Sequence, residues 1–468
     1  MQKGRIRDWL VVLLLMGALI LSFVDRIGLS LLVDPIRADL GISDAQIGLL
    51  QGIAFGLFFA VMGLPLGWLA DRWSRKGTIM LGVGLWSIAT AACGLAVNFP
   101  QLLLARIGVG AGEAGLAPAS YSIVHDRFPK EQLGRAISLF QVGGVLGAGM
   151  ALLITGYVYR HFTGGGGAGL PLIAGLKPWQ QTFIAIATPG LLFVLLIAMI
   201  REPERGAGQP QPGEARGFAA MTAAVRSRIG LYLPLFVGMS GIIMTSYALV
   251  SWMPAVLGRE FHWATETVGV RYGLVVLTAS PVGLLTGGWL ADALVRAGVA
   301  NAHVRVAALA ATIGLPFALA LAVPHGPVGL LAVVGGIHFA VSMPMGVVPA
   351  FLQLSTPQAA RAQVSGLYVL FINVVGLGFG PTLVGTLSTG MGADVTSLRL
   401  AMGLVVGPAM LVSTAVLVWL AWATRSGPAA KIRLARAHKN HRSGLISKSN
   451  SKIFYIVISI FSITNKNQ

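Results

Sequence analysis

The sequence predicts an all-α integral membrane protein, with twelve transmembrane helices in two pseudo-symmetric six-helix bundles. Three observations carry this. The chain has 468 residues, 55% hydrophobic and only 11% charged, against about 25% charged in a soluble domain. Apolar runs of about 20 residues recur throughout, each long enough to span as a helix, while the short alternating segments of a closed barrel are absent. Finally, Gly67-Trp68-Leu69-Ala70-Asp71 returns letter for letter as Gly288-Trp289-Leu290-Ala291-Asp292, half a chain later. Each copy sits where an apolar run gives way to basic residues, and each Asp is followed one helical turn on by an arginine, Arg75 or Arg296. A membrane-edge motif duplicated in this way implies two related bundles facing each other, a transporter-type architecture.

The elements follow in order. Residues 1–200 form the first bundle, with spans at 9–33, 46–70, 77–97, 101–124, 133–158 and 179–200. The first run follows Lys3, Arg5 and Arg7 as a signal peptide would. No small-residue cleavage site is present and Asp25-Arg26 interrupts the run, so it reads as a retained span. Residues 201–229 are the linker, rich in Pro and Gly and ending in a basic amphipathic piece, Arg226-Ser227-Arg228. Residues 230–425 form the second bundle, with spans at 231–257, 267–293, 304–323, 327–353, 362–388 and 398–423. A weaker repeat supports the duplication: Pro129 with Arg135-Ala136 before span 5, and Pro357 with Arg361-Ala362 before span 11. Residues 426–468 are a basic tail, to which no function is assigned; the run Ile453–Thr464 within it is too short to span.

The net charge of +18 does not signal nucleic-acid binding. Lys and Arg are retained in cytoplasmic loops, and twelve spans put both termini on the side richest in them. Both termini are therefore expected in the cytoplasm, and the protein in a bacterial-type inner (plasma) membrane. The single Cys93 lies in an apolar run, so neither a disulfide framework nor a thiolate metal site is expected.

Four charged residues fall inside spans: Asp25, Arg26, Arg106 and Glu113. Such residues cost about 2.5–3.5 kcal/mol each near a helix centre and are expected to face the interior and pair. At about 1.5 Å per residue, Asp25 and Arg26 lie at a depth between Arg106 and Glu113, and the last two share one helix face. The four are expected to form a neutral cluster that couples proton occupancy to anion binding, because only the carboxylates can titrate there. Glycines at 108, 110, 112 and 115 allow close helix approach.

The loop from Gly67 through Asp71, Arg72 and Arg75 is expected to act as a gating latch. Arg75 is placed to reach Asp126 at the end of span 4, with Asp292 and Arg296 as the second copy, so that the two bundles are held together when the inner side is closed. His338, Asn373 and Tyr368 are candidates for lining a cavity whose second-bundle wall is apolar (Phe339, Met343, Met345, Phe351, Phe371). No metal spacing, nucleotide-phosphate loop or nucleophile elbow is present. No enzyme activity and no cofactor are expected, protons being the coupling ion. The expected partners are a small amphipathic or anionic substrate and the bilayer, without nucleic acid, and the protein is expected to act as a monomer.

These residues resemble the major facilitator superfamily. Gly67–Lys76 is similar to its signature loop between helices 2 and 3, with Ser74 where Gly is frequent. Arg106 to Gly112 resembles its helix-4 motif, whose arginine is linked to proton coupling. Span 5, Gln141 to Gly149, lacks the Gly-Pro of the drug-antiporter motif. Within the superfamily the chain resembles the spinster-like branch, through Phe23-Val24-Asp25-Arg26, Gly63-Leu64-Pro65-Leu66-Gly67, Trp86-Ser87 and Gly112-Glu113-Ala114. The Asp-Arg pair is shared with organic anion:cation symporters. The resemblance implies proton-linked gating at Asp25 and Glu113 with Arg26 as partner, and a substrate of lysolipid or sphingoid type. The alternative is proton-linked symport of small organic anions such as aromatic or sugar acids. A non-transporting membrane sensor ranks lower still.

Overall fold

The computed structural model describes residues 2–167, 169–202 and 215–424; the basic tail and residues 203–214 of the linker lie outside these. Among the described residues there is no strand. Among the described residues, twelve helices are long and apolar enough to cross a membrane: α1 Ile6–Leu31, α2 Asp44–Ala70, α3 Arg75–Gly94, α4 Phe99–Arg127, α5 Gln132–Thr163, α6 Pro178–Ala198, α7 Ile229–Phe261, α8 Thr265–Arg296, α9 Ala302–Ala320, α10 Pro327–Ser355, α11 Gln363–Gly390 and α12 Val395–Ala423. The chain is an integral multi-pass membrane protein.

Local sequence sets the boundaries. Gly41 ends the short helix Val33–Leu40 at φ 63°, a conformation that a side chain disfavours. Two residues later Ser43 caps α2, its hydroxyl accepting from the Gln46 N–H while the Gln46 side chain accepts from the Ser43 N–H. Ser74 caps α3 by accepting from the Gly77 N–H, and Asn98 caps α4 by accepting from the Gln101 N–H, with Pro100 in the first turn. Four spans are interrupted, α2 at Gly52 and α10 at Met343 among them. The regular part of α4 stops at Glu113 and resumes at Leu116. α11 carries a π-helical turn, Asn373–Gly378, a form found mostly at functional sites.

An even number of spans gives the body two faces. One carries both ends of the helical body and most of the arginines, and is called here the basic face; the other is the distal face. Residues through 421 pack as one unit. α1 lies along α5, α3 along α6 and α8 along α10, and the two halves of the chain meet at α5–α8, α2–α11 and α1–α7.

The meeting of the halves is one-sided. Near the distal face, α2 and α11 touch backbone to backbone: a Cβ on Gly52 would lie 2.3 Å from the Gly378 carbonyl oxygen, and one on Gly48 2.7 Å from that of Pro381. In α5–α8, Gly156 faces Gly269 and Gly149 faces Gly273 in the same way. Small residues at crossings let membrane helices gain dispersion contact that side chains would block. Toward the basic face, Gly63, Gly67, Gly134 and Gly366 have no neighbour within 4 Å of such a Cβ. The halves are sealed distally and part toward the basic face.

The linker's second part is the helix Ala215–Ser227. Met221, Ala224 and Val225 pack it onto the body, and the Arg228 guanidinium next to it donates to the Ser355 carbonyl at 2.6 Å.

Candidate functional site

Asp25 and Arg26 lie in α1 more than three-quarters of the way toward its distal end; Arg106 and Glu113 lie on the first part of α4. The structure brings all four together, but not as the evenly paired cluster expected. Arg26 Nε and Nη2 both donate to Glu113 Oε2, at 3.1 and 2.5 Å. Its Nη1 donates to the Tyr247 hydroxyl of α7 at 3.2 Å. Three rings surround the guanidinium, Phe23, Phe55 and Phe59, at 4.9, 4.7 and 5.0 Å, contacts worth about 0.5–2 kcal/mol apiece depending on desolvation.

Arg106 makes no carboxylate hydrogen bond. It donates to the backbone carbonyls of Asp25 and Arg26, both at 3.2 Å, and so ties α4 to α1. The Asp25 carboxyl is fully buried beside the Trp86 indole and makes no ion pair. The correction has a simple cause. Consecutive helical residues diverge by about 100° around the axis. Arg26 therefore turns toward the opening between the halves while Asp25 turns into α3. Depth along a helix was readable in sequence, but azimuth was not.

The latch residues are also partly rearranged. Arg75 is buried at the head of α3 and pairs with Asp126 at the end of α4, as its charge and position predicted. It pairs as well with Glu202, beyond α6, at 3.4 Å. The Arg75 backbone N–H donates to Glu202 Oε1 at 2.8 Å, and the Ser74 hydroxyl donates to Glu202 Oε2. All these groups belong to the first half of the chain, so the link closes the basic end of one bundle and does not bridge two. Arg72 is exposed and stacks on Trp68 at 4.7 Å. Gly67 faces open space, and the Asp71 side chain lies outside the described residues. Asp292 and Arg296 are exposed at the end of α8.

Glu202 carries a pH dependence. Burial alone would raise its pKa, but the Ser74 hydroxyl, the Arg75 N–H and the Arg75 guanidinium together hold it below the ordinary glutamate value. A carboxyl depressed on folding stabilises the fold above its unfolded pKa, about 4.3, and that contribution is lost as pH falls through the folded value. Glu202→Gln is therefore expected to lower stability at pH 7 and to remove part of the acid-limb slope below about pH 4.3. Thermal unfolding in detergent across pH checks this; an unchanged slope would refute it.

Of the candidates for cavity lining, His338 is buried and its Nε2 bonds the Tyr272 hydroxyl at 2.9 Å between α8 and α10. Tyr368 is buried against Phe236 at 5.4 Å. Neither reaches open space. Asn373, half-buried at the start of the π turn, donates to the Val369 carbonyl at 2.8 Å.

The sequence reading missed the distal seal. Arg259, at the end of α7, donates Nη1 and Nη2 to the two oxygens of Asp44, each at 2.9 Å, and Nε to Asp34 Oδ1 at 2.8 Å. Arg37 adds a 3.0 Å pair to Asp44, and the Ser388 hydroxyl of α11 donates to Asp44 Oδ2 at 2.8 Å. Arg160 pairs with Glu266 across α5–α8. The Thr382 hydroxyl donates to the Gly48 carbonyl at 3.1 Å, and the Ala45 N–H donates to the Thr389 hydroxyl at 2.8 Å. The available signal was scarcity: Asp34 and Asp44 are two of only 16 acidic residues, and both flank one distal loop.

A twelve-helix body whose halves are clamped at one end, parted at the other and joined midway by a buried arginine has the form of a membrane transporter. The family model described as Major Facilitator Superfamily matches residues 15–381, and the chain belongs to that superfamily. It is 27% identical over 334 residues to the probable L-galactonate transporter of Escherichia coli (strain K12), covering 69% of this chain and 70% of that protein. It is 24% identical over 391 residues to protein spinster of Drosophila melanogaster, covering 81% of this chain and 62% of that protein. Among solved structures it is similar to a bacterial homolog to the human lysosomal transporter spinster in an inward-facing, occupied conformation. There the TM-score is 0.74 at 26% identity, over 89% of this chain and 98% of that one. The relationship is spinster-like.

Proposed function

We propose that this transporter moves an organic anion together with protons by alternating access, as residues 1–200 and 230–425 rock about the opening between them. The observation that carries the reading is Arg26: a guanidinium at the apex of that opening, held by Glu113 of one half and Tyr247 of the other. A proton on Glu113 releases Arg26 from its ion pair and leaves a net positive charge for an anion to neutralise. The basic face is the cytoplasmic one by the positive-inside bias. On the distal face Arg37, Arg160, Lys177, Arg259 and Arg399 each face a carboxylate, so that face carries little unbalanced positive charge.

The three phenylalanines around Arg26 favour an amphipathic, lipid-like anion whose apolar part lies against them. The likeness to a probable L-galactonate transporter supports a second reading, a small sugar acid. Flux into vesicles separates the two. Purified protein in liposomes with an imposed proton gradient is expected to accumulate radiolabelled D-gluconate or lysophosphatidate above protein-free vesicles. Transport of neither, with the protein demonstrably folded, would refute the anion reading.

A further inference from the structure

A cavity of about 200 Å³ lies at the distal end of the body, between the end of α1, the short helix Val33–Leu40, the end of α7 and the head of α8. Ser30, Asp34 and Thr265 are its polar lining, and Trp263, Pro35 and Pro254 belong to its apolar wall. The Asp34 side chain is 42% exposed, so the cavity communicates with solvent on that face. Arg26, Glu113 and Tyr247 do not line it. The first half of the chain supplies Ser30 and Asp34; the second supplies Trp263 and Thr265.

Three features of this lining point to a ligand. Ser30 is 2% exposed and its Oγ has no hydrogen-bond partner, a cost that a bound group would remove. Asp34 uses only one oxygen within the protein. Its Oδ1 is held by Arg259 and Arg37, and no donor among the described residues reaches Oδ2. Trp263 is fixed in place, with the Arg271 guanidinium 4.4 Å over its ring and the Phe261 ring at 5.7 Å.

Charge and size narrow the class of occupant. Asp34 and Asp44 are matched by Arg259 and Arg37, so this cluster has no net charge with which to draw in an ion. An anion meets the Asp34 carboxylate directly, and a cation meets Arg259 on that same carboxylate. What the wall leaves unsatisfied is an acceptor at Asp34 Oδ2 and a hydroxyl at Ser30, beside rigid ring and C–H surface. A polyol answers both, giving O–H groups to the carboxylate and its C–H side to indole and proline. A cavity of about 150 Å³ holds benzene, with six heavy atoms, so about eight fit here.

We propose that this cavity is a binding site for a small neutral polyol of about four carbons. One hydroxyl of the polyol donates to Asp34 Oδ2, and others exchange hydrogen bonds with the hydroxyls of Ser30 and Thr265. Both halves of the chain hold the occupant at once. It therefore favours the distally sealed arrangement over any in which the halves part there. The site is independent of the substrate carried and of the coupling ion.

Protection of a cysteine from a small polar thiol reagent tests this on the purified full-length protein, with erythritol, trehalose and tetramethylammonium as probes. Gly258→Cys in a Cys93→Ala background puts a thiol in the cavity wall, where a Cβ has room, its nearest neighbour being the Trp263 carbonyl oxygen at 3.9 Å. Erythritol is expected to slow labelling severalfold and saturably. Trehalose, far larger than the cavity, and tetramethylammonium, a cation, are expected to leave it unchanged. With Ser30→Ala/Thr265→Val added, the Kd for erythritol should rise about tenfold, equivalent to about 1.4 kcal/mol, while labelling without erythritol stays as it was. Erythritol should also give the wild type a saturable rise in melting temperature that Ser30→Ala/Thr265→Val lacks. Should the double variant not fold, Ser30→Ala alone gives the same reading with a smaller rise in Kd. Labelling that erythritol does not slow, or an unchanged Kd in a folded variant, overturns the site. Equal protection by trehalose or tetramethylammonium overturns the assignment to a small polyol. None of these readouts involves Arg26 or flux, so failure here leaves the anion reading standing.

Discussion

Glu113→Gln is expected to abolish the acceleration of anion uptake by an inward proton gradient, bringing accumulation down at least about tenfold to the gradient-free level, while exchange of anion for anion persists. The amide keeps an oxygen that can accept from Arg26 Nε and Nη2, which now reach Glu113 Oε2 at 3.1 and 2.5 Å, so the local geometry survives. What it cannot do is gain or lose a proton. Arg26 then carries a permanently uncompensated charge, anion affinity no longer varies with pH, and release becomes slow. Removing one partner of a buried pair typically costs about 3–5 kcal/mol of stability; the retained amide oxygen and the three phenylalanine faces should hold the loss below that. Uptake into liposomes with and without a pH gradient, together with counterflow, measures each part. Gradient-driven accumulation that survives the substitution would show that the proton is carried elsewhere, with Asp25 the next group to examine.

Arg259→Met is expected to open the distal side. Arg259 holds Asp34 of α1's distal extension and Asp44 at the head of α2 from the end of α7, so it crosses the halves at the sealed end. The Asp44 side chain is fully buried, and after the substitution it keeps only Arg37 of its own half and the Ser388 hydroxyl. The roughly 3–5 kcal/mol cost of breaking such a pair falls on the distally sealed conformation alone and shifts the two-state balance by about a hundredfold or more. A membrane-impermeant thiol reagent applied from the distal side reads this out. In a Cys93→Ala background, a cysteine placed at Ser251 should react at least about ten times faster when Arg259 is methionine. Cys93 is the only native cysteine and is buried, so the background is clean. Equal labelling with and without Arg259 would mean that the glycine contacts alone hold the seal.

The two results bear on different kinds of information in the sequence. The spans were legible because hydropathy and length are local properties. Their ends were legible because Ser43, Ser74, Asn98 and Gly41 act within one turn. The Arg75–Asp126 link was legible because both residues carry charge at helix ends on the same side. Long-range facing was not. Nothing in the one-dimensional order shows that Arg259 lies opposite Asp44, that Tyr247 reaches Arg26, or that Glu202, in a linker rich in Pro and Gly, returns to cap Arg75. These depend on which side of each cylinder is turned inward, and that is decided by packing across the whole body. The buried positions of His338 and Tyr368 have the same origin: each is polar in an apolar run, a pattern that a cavity wall and a well-packed core share.

The π turn at Asn373–Gly378 gives α11 a residue of spare length. It sits where the tight distal contact with α2 ends, Gly376 resting on Ile243 and Met244 of α7 and Gly378 receiving Gly52. One inserted residue is about 1.5 Å of slack and a rotation of about 100°. Slack at that level uncouples the two ends of the helix, so the stretch toward the basic face can swivel while the stretch above stays clamped. In the rocking proposed above, the moving parts are then not two rigid plates. One of them has a compliant joint in its wall, and the reach of the swing is set by the chain length stored there as well as by the strength of the clamp.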